Sequence, residues 1–526
     1  MKRCLAPLAV LALAAPLCLA QQPERKEGRP REEKKYHREL MTQIVKGGAE
    51  KAAAELEADA VRNPGDPETD FCLAAAYAKL GDRAKAVAHA KAAVARGLDA
   101  GRFAAGPRAI FAPLAEDPEF KAILDAVPPL VHGPLLGAVT PSSAKFWVRT
   151  KAAAEVTIRA GDISASARTR PETDFTAVVE LAGLSPATRY AYAVEVGGEK
   201  IALDPAPAFT TPRAPGAKGK LSIAFGGGAG YTPFFEHMWD TIRAQEVDAF
   251  LAMGDNVYID TPEVPETQRY CYYRRQSRPE WRRFTAGTPV FSIYDDHDFG
   301  DNDCHGGPDI ELPTWKRPVV QLFRENWANA YYAGGEDPPG CWQHFSLGDI
   351  DFIMLDTRYY REKPKKDGST SMLGPVQVAW LKDRLREAKG TFKVLVSSVP
   401  WAMGTKPGSL DTWDGHSAER AEIFDFIAKE KIGGIVLISA DRHRSDAWKI
   451  ERPGAYDLYE FSSSRLTNIH THPVMKASLF GFNQACSFGR IDFDTAADDP
   501  AVTYRIIDID GHEQGKLELK RSQLGF

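Results

Sequence analysis

The sequence predicts a multidomain chain in which a large layered α/β domain follows an all-β sandwich and an α-helical module. Three observations predict it. An alanine-rich stretch with helical spacing runs from His37 to about Leu124, segments alternating apolar and polar residues fill Pro128 to about Pro215, and beyond Leu221 short apolar runs alternate with helical segments. At 526 residues the chain can supply each unit with its own core. Hydrophobic residues make up 44% and charged residues 26%, and the net charge of −5 comes without a basic block, so nothing marks nucleic acid or an anionic membrane as a partner.

The first twenty residues, MKRCLAPLAVLALAAPLCLA, have a basic start, a short apolar stretch and a small residue at Ala20 before Gln21. This is the pattern of a cleavable secretory signal and predicts a secreted or periplasmic product. Cys18 follows Ala-Pro-Leu, a poor lipoprotein signal, and no later run reaches about eighteen apolar residues, so no membrane anchor is expected. Residues 21–36, QQPERKEGRPREEKKY, are charged without periodicity and are expected to form a disordered leader. Five cysteines follow the signal, Cys72, Cys271, Cys304, Cys341 and Cys486; an odd number with no CxxC pair predicts neither a zinc ribbon nor a complete disulfide framework.

In the helical module, residues 37–127, the stretch DFCLAAAYAKLGDRAKAVAHAKAAVARGLD reads as two antiparallel helices joined at Leu80-Gly81-Asp82. It resembles a tetratricopeptide repeat, of which about one and a half units are visible where a free array needs about three. The module is therefore expected to dock on another surface, either within this chain or on a protein partner. The sandwich, residues 128–215, contains AKFWVRT, AEVTIRA, FTAVVEL and TRYAYAVEV, and LSPATRYAYAVEV resembles a late strand of a fibronectin type III-like domain. PRAPGAKGKL is the linker to the α/β domain, residues 219–526. There LSIAFGG, DAFLAMGD, PVFSIYDD, DFIMLDT, FKVLVSS and GGIVLISAD read as buried strands between helices.

Acidic and histidine residues recur where those strands stop. Asp255 and Tyr258 follow FLAM, Asp295, Asp296 and His297 follow FSIY, Asp356 and Arg358 follow FIML, and Asp441 and His443 follow IVLIS. Loops at the carboxyl ends of such strands face one crevice, so these clusters are expected to meet. Carboxylate, imidazole and phenolate are ligands for hard or borderline cations, which would also relieve the repulsion among the acids.

These blocks carry a resemblance. GDNVY (254–258) is similar to a block of purple acid phosphatases, DDHD (295–298) stands where calcineurin-like metallophosphoesterases have Gly-Asn-His-Asp/Glu, and SADRH (439–443) where they have Gly-His-x-His. The fuller resemblance, over roughly residues 130–526, is to the PhoD-type alkaline phosphatase family, through YDDHDFGDND, FIMLDTRYYRE, MLGPVQVAWL, DTWDGHSAER and EFSSSRLTN. It implies a four-layer fold, a β-sandwich flanked by helices, and a secreted enzyme that hydrolyses phosphomonoesters or phosphodiesters at a two-metal site. It implies that Asp255 bridges the metals, that Tyr258 binds the more oxidised one as phenolate, that Asp296 binds the second metal, and that Asp441 and His443 bind opposite metals. His297 is implied to contact the phosphate or leaving group, and Arg358 is a candidate to fork two phosphate oxygens. The implied metals are Fe3+ and Ca2+, with Zn2+ or Mn2+ as alternatives.

The chain departs from that pattern in one strand. SIAFGGGAGY places Gly228 where the family has a cysteine ligand, and the three glycines are expected to bring backbone N–H groups close to a bound anion. FKVLVSSVPW offers Ser397 and Ser398 where calcineurin-like enzymes use a histidine. A second function class follows: an exported binding protein that retains the fold with weakened catalysis. Blander readings compete at each position. Asp255 and Tyr258 could be a turn acid and a core tyrosine, DDHDFGDND with Asn302 a calcium loop, Asp441 and His443 an ion pair, and Arg358 a salt bridge. His305, His416, His470 and His472 are candidates by context only, and nothing in the sequence ties the last two to the crevice. The aromatic run YCYYRRQSRPEWRRF (270–284) reads as a helix packed on the sheet with its arginines toward water.

Overall fold

The structure, a computed structural model, describes residues 31–526. The expected signal peptide and residues 21–30 of the expected leader lie outside the described residues. Residues 33–36, expected in the leader, instead open the helix Glu33–Val45. Its charges have partners: Arg31 bonds Glu33, Asp59 and Asp66, while Leu40, Met41 and Ile44 form a buried face.

The predicted helix pair forms as Pro67–Leu80 and Arg83–Ala95. Asp66 caps the first helix by accepting from the Glu68 N–H, Gly81 ends it at φ +80°, and Asp82 caps the second by accepting from the Lys85 N–H. The module docks on the α/β domain through Glu68, whose carboxylate is bonded by both terminal nitrogens of Arg102 (2.7 and 2.9 Å) and by Tyr270 Oη (2.6 Å). Tyr270 lies on the helix Pro265–Gln276, so the aromatic run packs against the module. Arg274 and Arg275 do not face water as expected. They are buried, because the carbonyls of Glu33 and Lys34 and the Glu236 carboxylate give them acceptors inside.

Two large sheets carry the rest. A nine-stranded sheet contains the parallel strands Lys220–Gly226, Ala249–Met253 and Val290–Ile293. A seven-stranded sheet contains the parallel run Ile350–Met354, Phe392–Val396, Ile435–Ser439 and Leu458–Ser463. The sheets pack face to face through aromatic pairs such as Phe291 on Phe345, Phe392 on Phe493 and Phe461 on Tyr504. Ala249–Met253, Val290–Ile293, Ile350–Met354, Phe392–Val396 and Ile435–Ser439 are buried from end to end, as their apolar runs require.

The antiparallel strands before the linker have a core of their own around Phe146, Ile158, Val179, Val194 and Phe209. They are not a free-standing sandwich. Leu130–Gly137, Ser143–Thr150 and Thr176–Ala182 extend the nine-stranded sheet, joined in parallel where Gly137 pairs with Val290. The five cysteines of the described residues are all buried and unpaired, and among those residues no helix is long and apolar enough to cross a membrane.

Candidate active site

The loops after the parallel strands of both sheets meet at one end of the sandwich. Asp255 and Tyr258 follow Ala249–Met253, and Asp295 to Asp298 follow Val290–Ile293. From the other sheet come Arg358, Ser398, Asp441 and His443, and the segment from Ser464 to Asn468. Several of these residues have positive φ without being glycine: Asp255 (+55°), Tyr258 (+57°), Asp260 (+47°), Asp441 (+66°) and His443 (+46°). Such backbone costs about 1 kcal/mol or more each and persists where side-chain placement has been selected over local stability.

The acids divide into distinct roles. Asp255 Oδ2 accepts from Tyr258 Oη (2.8 Å), while its Oδ1 is buried without a partner. Asp296 accepts from the N–H groups of His297 (3.0 Å) and Asp303 (2.7 Å). Ligand atoms of Asp255, Asp296 and His297 all lie within 4.8 Å of one another. Asp298 accepts from the N–H groups of Asn256 (2.8 Å) and Val257 (2.9 Å), so it holds the Asp255 loop. Asp295 Oδ1 accepts from Arg358 Nε (2.6 Å) and Ser398 Oγ (2.7 Å), and its Oδ2 is unpaired.

Burial drives the pKa values of this cluster upward, and the acids add to one another. Asp255 rises well above the usual carboxylate range, Asp295 to about 7 and Asp298 to about 6. Asp296 goes the other way: against burial, Arg358 and His297 hold it low. His297 is raised to about 10, because Asp296, Asp255 and Asp260 outweigh its burial.

His297 Nδ1 donates to Asp260, which leaves Nε2 toward the cluster. Asp260 is in turn held by Arg38 of the helix Glu33–Val45, and Arg38 also donates to the Tyr258 carbonyl (2.9 Å). Arg358 is fully buried with its donors directed at protein: Asp295, the Cys304 carbonyl (3.1 Å) and Asp411 (2.9 and 3.3 Å). It touches the site through Asp295 and, at 3.8 Å, through Asp296. Asp441 is buried beside Arg442 (3.4 Å). His443 Nδ1 donates to the Ser464 carbonyl (3.1 Å), and burial keeps this imidazole neutral well below its usual pKa, with Nε2 available.

Three features escaped the sequence. His470 and His472 pack their rings 5.3 and 5.8 Å from that of His443, which ties them to the site rim; the His-x-His spacing was the only signal. Asp260 orients His297. Lys34, from the helical module, places its buried Nζ 4.4 Å from the centre of the Tyr258 ring and donates to Asn468 Oδ1 (3.2 Å). Asn468 Nδ2 donates to Tyr258 Oη (2.7 Å), so the phenol is hydrogen-bonded on both sides.

The glycine loop serves close packing rather than anion binding. The N–H groups of Gly227, Gly228 and Ala229 donate to the carbonyls of Ser463, Gly254 and Asp255, which leaves none of them for an anion as expected from the sequence. Gly228 sits at φ +65°, and a Cβ there would land on the Ser464 carbonyl oxygen and lie 3.0 Å from His443 Nδ1. A cysteine has no room.

The donor set fits a cation in part. Unpaired, buried Asp255 Oδ1 beside Asp296 and His297 is an oxygen-rich site of the kind hard or borderline cations take, and positive charge there would reverse the mutual repulsion of the acids. Position 228 cannot supply a thiolate at the Tyr258 end.

Comparison with known proteins bears on the family and the fold. The model of the PhoD-like phosphatase family matches residues 223–523, and a second, described as a domain of unknown function (DUF7800), matches residues 127–214. Alkaline phosphatase D of Bacillus subtilis (strain 168) is 26% identical over 317 residues, 51% of this chain and 53% of that protein, so the chain spans about half the length of the curated relative it matches. The solved structure of PhoD superposes with a TM-score of 0.59 at 19% identity, covering 72% of this chain and 91% of that one. The purple acid phosphatase PPD1 from yellow lupin seeds superposes with a TM-score of 0.57 at 11% identity, covering 74% and 75%. At these identities the two structures speak for the fold alone.

Proposed function

Since the chain belongs to the PhoD-like phosphatase family, we propose that it is an exported, metal-dependent phosphoesterase acting on phosphomonoesters or phosphodiesters. The observation that carries the reading is the convergence of Asp255, Asp296 and His297, with His297 oriented by Asp260. Asp255 and Asp296 would hold the cation, with Asp441, Tyr258 and His443 as further candidate ligands; its candidates are Fe3+, Ca2+, Zn2+ and Mn2+. When bound, the cation neutralises charge on the phosphoryl oxygens and makes water more acidic.

The remaining steps belong to the chain's own residues. Asp260 holds the Nδ1 proton of His297, so that Nε2 faces the substrate and protonates the departing oxygen. The Asp260 carboxylate at Nδ1 also favours the protonated imidazole, which suits an acid. Arg358 and Ser398 fix Asp295, and Asp298 fixes the Asp255 loop, so the ligands need little reorganisation on binding. The packing at Gly228 favours a second reading, an exported protein that keeps the fold for binding.

Hydrolysis of a chromogenic phosphomonoester and diester, with metal analysis, separates the two. The enzyme reading expects turnover that a chelator removes, and an Asp255→Asn variant that folds normally but loses both metal and activity. Unchanged turnover in that variant overturns the site assignment, and no turnover by the wild-type chain under any added ion leaves the binding reading.

A further inference from the structure

We propose that the helical module is a working part of the active site, and that Lys34 binds a non-bridging oxygen of the substrate's phosphoryl group. The proposal rests on the phosphoesterase reading and identifies a phosphate-recognition residue that lies outside the stretch matched by the family.

Lys34 is 6% exposed, and among the described residues its ammonium has one hydrogen-bond acceptor, Asn468 Oδ1, for three donors. No carboxylate of those residues lies in ion-pair range of Nζ. A buried ammonium in that condition is costly unless an anion completes its shell. Nζ stands over the Tyr258 ring at 4.4 Å, that tyrosine donates to Asp255, and the Lys34 charge is felt at both Asp255 and His443.

Several elements aim this side chain. Arg274 donates to the Glu33 and Lys34 carbonyls (3.1 Å each), Arg38 anchors the same helix to the Tyr258 carbonyl, and Gly230 leaves room for the Lys34 stem, which a Cβ there would approach to 3.1 Å. The placement also answers the departure at Gly228. Where position 228 can supply no thiolate to hold an ion, the Lys34 ammonium supplies positive charge that needs no ligand set.

The test uses the full chain with its native metal and inorganic phosphate as probe, titrated calorimetrically, alongside metal content and turnover of a phosphomonoester. Lys34→Met is expected to weaken phosphate binding about 10- to 100-fold, the worth of one charge-assisted hydrogen bond, with metal content unchanged. Lys34→Arg is expected to recover most of it. Should Lys34→Met fold poorly, Gly230→Ala presses on the same stem from another element and is expected to weaken phosphate binding in the same direction. Phosphate affinity that Lys34→Met leaves unchanged overturns the proposal, as does faster turnover in that variant, which would make the module an inhibitory plug. A wild-type chain that binds phosphate through Lys34 but hydrolyses no ester overturns the phosphoesterase reading and leaves the Lys34 assignment standing.

Discussion

Gly228 shows how a single residue constrains the chemistry. Its position in SIAFGGGAGY is plain from the sequence, but the reason for it lies in Ser464, more than two hundred residues on, whose carbonyl fills the volume a side chain would need. Gly228→Cys is therefore expected to destabilise the fold by about 2–5 kcal/mol, from left-handed backbone and overlap together, and to bring no new thiolate–metal absorption; thermal unfolding and a visible spectrum check both. The four residues of DDHD show the complementary case. As letters the acids are equivalent, yet Asp295 anchors Arg358, Asp296 faces the cluster and Asp298 holds the preceding loop. Hydrogen bonds to residues distant in sequence make that division, so the motif revealed the site but not the roles.

At the scale of elements, the first turn of the helix Glu33–Val45, residues 33–36, was hidden by its own composition. Charged residues there read as a disordered leader, and the partners that bury Arg31 and Lys34 lie on other elements: Asp59, Asp66 and Asn468. Glu68 and Arg102 form a buried pair inside the module, and Glu68 also carries its contact with Tyr270 of the α/β domain. Glu68→Ala leaves the guanidinium uncompensated and is expected to cost about 3–5 kcal/mol, read as an earlier loss of the module's amide protection in hydrogen exchange. A second buried acid tunes the strand Leu458–Ser463. Burial raises Glu460 from 4.5 to about 7, against the hydrogen bonds from Ser439, Trp401 and Ala402. The folded state thus holds this proton more tightly than the unfolded chain, so its contribution to stability is complete below pH 4.5 and disappears as pH rises through about 7. Melting temperatures measured across that window are expected to fall less steeply in Glu460→Gln than in the wild-type chain.

Over the whole molecule, the division into three consecutive units is visible in periodicity, while their union is not. The linker between the antiparallel strands and the α/β domain is exposed at Lys218, yet the strands on either side of it share one sheet through Gly137 and Val290. Tryptic cleavage after Lys218 is expected to leave two fragments that co-elute in gel filtration, and their separation under native conditions would contradict the shared sheet. By itself the sequence determined the buried parallel strands, the helix pair at Leu80-Gly81-Asp82, and the acidic and histidine residues at strand ends, because hydrophobic period, turn chemistry and strand-end position are local properties. Only the tertiary structure decided that Lys34, Arg38 and Asp260 complete the site, that Arg358 is spent on carboxylates, and that Gly228 excludes a thiolate. Each of those depends on contacts across long sequence separations, and no local pattern encodes them.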